Sequence, residues 1–242
     1  MAKKKMDVQA QGVELIDLVI EQVRADPTCI SGFCGDRPLP DPKPLAPEVI
    51  ARLTFPSGRS LSPSLRRWLT FDASWLADLG WFTVPDSAQE SPMFTPRRID
   101  QIVSDEFDGL WGEMYEPLRV RLDECFLLPG GSDSRRIYAI TDAPDSLGEY
   151  PVLVIDTDDL PYAAVMYPGF DVFMADEAGF AIHDMGTYED LFDDKRYAPR
   201  LNEHARHLFN GKSGIEIMDE EWGGLESADY AEGDDAEPTT GE

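Results

Sequence analysis

Asp156, Asp158 and Asp159 follow directly on the apolar run Val152-Leu153-Val154-Ile155. Carboxylates at the end of a strand suit a magnesium-dependent phosphoryl-transfer site, because that cation takes hard oxygen ligands. The same spacing equally suits an Asp-rich turn whose side chains accept hydrogen bonds from their own backbone. His204 and His207 are three apart and would share a helix face, while Cys29 and Cys34 lie close together in an early loop. Together they could supply the nitrogen and sulfur ligands of a zinc site. The close Cys pair usual in such sites is missing. The plainer reading places both His on a solvated helix beside Glu203 and Arg206, with Cys29 and Cys34 as half-buried thiols.

Gly211-Lys212-Ser213 fails as a phosphate-binding loop, since the required earlier glycine is Arg206. Asn210-Gly211 reads as a helix stop instead. The chain also lacks a Gly-x-Ser-x-Gly turn, a His-Glu-x-x-His pair and a dinucleotide-binding glycine pattern. The expectation is a protein that is not an enzyme and carries no cofactor or metal. A metal-dependent enzyme built on the Asp156, Asp158 and Asp159 group is the alternative.

Aromatic residues offer a second kind of chemistry, that of interface anchors. Trp68, Trp75 and Trp81 fall in a helical region and read as core, with an exposed partner surface as the other option. Trp111 in Gly109-Leu110-Trp111-Gly112 and Trp222 in an acidic stretch have little nearby to bury them. Both are candidate partner-binding residues.

The elements that would position these residues follow from pattern. Val13, Ile16, Ile20 and Val23, with Leu15 and Val19 alongside, predict an amphipathic helix over 8–24. Six prolines between Asp26 and Pro47 make that stretch a loop. Ser62-Pro63 reads as a helix start, Ser62 capping the free amides and Pro63 fitting the first helical position. A short helical pattern runs from Ile99 to Phe107. Beyond residue 125 come short apolar runs at 126–128, 137–140, 152–155, 163–167 and 170–174, separated by turn residues, with Pro168-Gly169 between the last two. This predicts an antiparallel meander of about five strands, and a helical segment follows near Pro199 to Phe209. The fold class is α+β, a single domain over 1–218 in which N-terminal helices pack on a central antiparallel sheet, followed by a C-terminal helix.

The chain has 242 residues, with 21 Lys and Arg against 47 Asp and Glu, a formal charge of −26. Residues 219–242 hold ten acidic side chains and no basic ones, so they read as a disordered acidic tail. Residues 1–218 keep a charge of −16, so the body is acidic in its own right. Such a field repels phosphate backbones and anionic lipid, which argues against direct nucleic-acid or membrane binding. The start lacks the apolar core of a signal peptide, and three cysteines fit a reducing cytoplasm.

Two stretches resemble a known family. Leu61-Ser62-Pro63-Ser64-Leu65-Arg66-Arg67-Trp68-Leu69 is similar to a short helix of the SUKH superfamily, which includes fungal cell-wall-assembly regulators and bacterial toxin-immunity proteins. Leu147-Gly148-Glu149-Tyr150-Pro151 and the strand after it resemble that superfamily's glycine-acid-aromatic entry into its central strands. The resemblance spans residues 45–190 and makes 83–125 an insertion. It implies a non-enzymatic scaffold that binds another protein, commonly a toxin it blocks, and it adds Glu149 to Asp156, Asp158 and Asp159 as partner-binding candidates. Acidity points the same way, since a nuclease toxin grips phosphates with basic residues that an acidic inhibitor would cover. An acidic mimic of DNA is a further alternative.

Overall fold

The computed structural model describes residues 9–30, 41–83, 90–106, 116–129, 134–156, 162–180 and 190–216. Helices α1 (Val13–Ala25), α2 (Pro47–Ile50), α3 (Pro63–Leu69), α4 (Ser74–Asp78), α5 (Ile99–Glu106) and α6 (Glu116–Arg121) precede the sheet. Strands β1 (Cys125–Leu128), β2 (Ser134–Ala139), β3 (Val152–Asp156) and β4 (Tyr162–Tyr167) then run in succession. Helices α7 (Phe170–Glu177) and α8 (Ala198–Leu208) follow, and β5 (Gly214–Glu216) closes the order. The sheet is an antiparallel meander in the order β1-β2-β3-β4-β5, so the α+β class and the five-stranded sheet are as expected.

Each expected strand has a physical counterpart except one. Val152 to Ile155 are buried on both faces, and Leu153 pairs with Ile137 on one side and Val165 on the other. Residues 170–174, however, belong to helix α7, whose residues Phe170 to Ala175 are all buried. A continuous apolar run carries no period, so its six buried residues read equally as strand or enclosed helix. Gly169 is the helix's N-cap, so Pro168-Gly169 joins a strand to a helix and makes no hairpin. The fifth strand is Gly214–Glu216, whose partner is β4.

Helix α1 buries Leu15, Ile16, Val19, Ile20 and Val23, while Val13 is 39% exposed. Helix α3 starts at Pro63 as expected, but the Ser62 hydroxyl makes no cap and pairs with the Tyr138 hydroxyl at 2.8 Å. Trp68 and Trp81 are core residues and Trp75 is half-buried. Trp81 stacks on Phe126 and Tyr138 at 4.5 and 5.4 Å and donates its Nε1–H to the Leu127 carbonyl. The described part of 83–125 joins the same core through Ile99, Ile102, Val103, Leu118 and Leu122, and Arg97 bridges to Cys125.

Candidate functional site

The densest polar constellation among the described residues is built from three separate elements. Asp145 sits in the turn before β3, Glu149 at its end, Asp171 in the first turn of α7, and Arg200 and His204 one turn apart on α8. All five are buried. Such charges persist only when paired, because removing an ion from water costs several kcal/mol.

The pairing is complete. Arg200 donates from Nε to Asp145 Oδ2 at 2.5 Å and holds Asp171 with a fork, Nη1 to Oδ2 at 2.8 Å and Nη2 to Oδ1 at 2.9 Å. Its remaining donors reach Gln11 Oε1 at 3.2 Å and the Pro168 carbonyl at 3.5 Å. Asp171 Oδ2 also accepts the Gly12 amide at 2.6 Å, pinning the start of α1. Asp145 Oδ1 accepts the amides of Leu147 and Glu149, both at 2.9 Å, which closes the turn on itself. His204 Nε2 donates to the Pro168 carbonyl at 2.9 Å.

Glu149 completes the network from the other side. Its carboxyl accepts the Ser64 amide at 2.8 Å on Oε1 and the Ser64 hydroxyl at 2.5 Å on Oε2. Burial, then the nearby Asp171 carboxylate, pushes its pKa up to about 8, against the opposing pull of the Ser64 bonds and Arg200. Burial pushes the His204 imidazole down to about 4, so it is neutral near pH 7. With three carboxyls around one guanidinium, burial and the neighbouring Asp171 favour the neutral acid at Glu149. Gly169 is required beside them: a Cβ there would lie 2.6 Å from Asp171 Oδ1 and 2.7 Å from both Arg200 Nη2 and Glu149 Cβ.

Chemically, this is a brace. Each carboxyl oxygen is engaged by a backbone amide, a hydroxyl or Arg200, and its effect is to fix where α1, α3, α7, α8 and the 145–149 turn meet. Above it opens a cleft of about 670 Å³, walled by Gly12, Val13, Glu14, Pro63, Leu147 and Pro199 with Arg200 among its lining residues.

The sequence-derived candidates are distributed differently. Glu149 is at 0% exposure and serves the brace. Asp156 is half-buried at the end of β3, paired in register with Ser134 and Tyr162. Asp158, Asp159, Trp111, Trp222 and Cys34 lie outside the described residues. Cys29 is half-buried, as the plainer reading had it. His204 and His207 do not share a solvated face, because His204 points into the core and His207 is exposed. No group of three or more His, Cys, Asp or Glu that could hold a metal occurs among the described residues. Asp145, Asp171 and Arg200 escaped the sequence reading, although an aspartate inside the apolar run Phe170-Asp171-Val172-Phe173 is the mark of a buried, paired charge. No described helix is long and apolar enough to cross a membrane.

No family model and no curated protein matches the chain. Its architecture is similar to the crystal structure of an uncharacterized protein from Salmonella enterica subsp. enterica serovar typhimurium str. 14028s, at 14% identity and a TM-score of 0.50, over 88% of this chain and 98% of that one, a likeness of fold.

Proposed function

We propose that this protein is a protein-binding module of the immunity or regulatory kind, which engages and blocks a basic partner through an acidic surface. One observation carries the reading: the described residues include 27 acidic and 17 basic side chains, and several of the basic ones are already paired with carboxylates of the fold. Arg67 pairs with Asp17, Arg97 with Asp105, Arg98 with Asp100, Arg135 with Glu106 and Arg196 with Asp194. Arg59 is shared by Asp123, Glu124 and Asp142. Arg66 turns inward to the carbonyls of Ile50, Leu53 and Leu61. Exposed carboxylates such as Glu14, Glu21, Asp41, Glu48 and Asp78 are left facing solvent. A surface on which carboxylates outnumber cations attracts a basic protein at long range and accelerates encounter. The SUKH-like stretches around α3 and the 147–151 turn are consistent with this reading.

The test is the salt dependence of association with a protein captured on the immobilised chain and then purified. The expected result is an association rate that falls steeply between low and physiological ionic strength. A partner whose rate ignores salt overturns the electrostatic reading. Equal competition by duplex DNA for the partner's site would instead mark a DNA mimic.

A further inference from the structure

The cleft above the Arg200 brace combines three properties that rarely coincide by accident. Val13 and Leu147, 39% and 42% exposed, line it, and they are two of the three large hydrophobic side chains that are exposed among the described residues. Exposed apolar groups on loose loops mean little, but these are held rigidly. Leu147 sits in a turn whose amides are bonded in succession: Ser146 to Glu203, Leu147 to Asp145 Oδ1, Gly148 to the Asp145 carbonyl and Glu149 to Asp145 Oδ1. Val13 follows Gly12, whose amide is fixed by Asp171 and whose φ of 60° is in the range that favours glycine.

The electrostatics of the cleft are anionic although two arginines line it. Arg196 is neutralised by Asp194 and Arg200 by Asp145 and Asp171, so neither presents a free positive charge. Glu14 is exposed and has no ion pair among the described residues, and Glu203 lies next to the rim through Ser146. Aliphatic side chains from Val13, Pro63, Leu147 and Pro199 thus line the same cleft as Glu14. A lysine or arginine side chain has the matching form, an apolar stem ending in a cation.

We propose that this cleft is the seat for one lysine or arginine side chain of the partner protein, its stem against Leu147 and Val13 and its charge at Glu14. The proposal rests on the basic-partner reading above and gives it an address. The brace pre-forms the seat, so little ordering entropy is lost when the side chain enters.

Amide chemical-shift titration of the full chain at low salt tests this, with capped alanine-glycine pentapeptides carrying a central arginine, lysine, leucine or glutamate as probes. The arginine and lysine peptides are expected to shift the amides of Gly12, Val13, Ser146 and Leu147 together, and the leucine and glutamate peptides to leave them in place. Glu14→Gln should weaken the arginine peptide about threefold, and Leu147→Ser about fivefold. Met93→Ser removes a side chain that is 78% exposed and does not line the cleft, and it should change nothing. Cationic peptides that shift amides elsewhere on the acidic surface, but not these four, overturn the cleft while leaving the basic-partner reading intact. Absence of binding by any cationic peptide counts against both. A leucine peptide that binds as well as the arginine one overturns the charge assignment.

Discussion

Glu149 caps helix α3 from 85 residues away, taking the Ser64 amide on one oxygen and the Ser64 hydroxyl on the other. The local residue expected to do this, Ser62, is occupied by Tyr138. A helix start is thereby tied to the turn that enters β3, and the same turn is tied through Asp145 to α8. Local structure here depends on tertiary contact, which makes the contact measurable.

Glu149→Ala removes the acceptor for two buried donors and should destabilise the fold by about 2–3 kcal/mol. Glu149→Gln keeps the carbonyl for the Ser64 amide and should cost under about 1 kcal/mol. Urea unfolding midpoints distinguish the two, and equal losses would mean that the capping geometry is irrelevant.

Stability should depend on pH through two groups of opposite sign. Folded Glu149 holds its proton up to about 8, whereas the unfolded side chain releases it near 4.5, so stability falls as pH rises across that window. Folded His204 stays neutral down to about 4, whereas unfolded histidine takes up a proton below 6.5, so stability falls as pH drops from 6.5 toward 4. The slopes oppose each other between about 4.5 and 6.5, and from 6.5 to 8 Glu149 acts alone. Urea midpoints from pH 4 to 9 should therefore decline on the alkaline side, and Glu149→Gln should flatten that decline. An unchanged alkaline arm in the variant would assign it to other groups.

Gly169→Ala and Gly58→Ala separate crowding from backbone strain. At Gly169 the new methyl meets three atoms of the brace, and a loss of about 2–3 kcal/mol is expected. At Gly58 nothing lies within 4 Å, but φ is 85°, so only the left-handed penalty of about 1 kcal/mol applies. Thermal denaturation of both variants checks the order, and a smaller loss at Gly169 would contradict the close approach.

Arg200→Met leaves Asp145 and Asp171 buried without their cation and should cost about 3–5 kcal/mol. Arg200→Lys should recover little of this, because one ammonium cannot reproduce a fork to Asp171 together with a separate bond to Asp145. The discriminating measurement is chemical denaturation of both variants beside the parent chain; a Lys variant as stable as the parent would show that charge alone, without the fork, is sufficient.

Some of this protein was legible without coordinates. The α1 stripe, the Pro63 helix start, the α8 segment and four of the five strands follow from periodicity and turn residues, because one face of each element meets the core while its ends need particular backbone conformations. The acidic character of the surface is likewise plain from composition. Tertiary structure decided the remainder. Phe170–Glu177 is a helix whose burial from Phe170 to Ala175 erases the period that would reveal it. Gly214–Glu216 is a strand because β4 offers it an open edge. The brace of Asp145, Glu149, Asp171, Arg200 and His204 leaves no mark in the chain beyond the apolar neighbours of Asp171, since its members come from separate elements and the others look locally like surface groups. Only folding removes water from all five at once, and that desolvation is what compels them to pair and sets the protonation of Glu149 and His204.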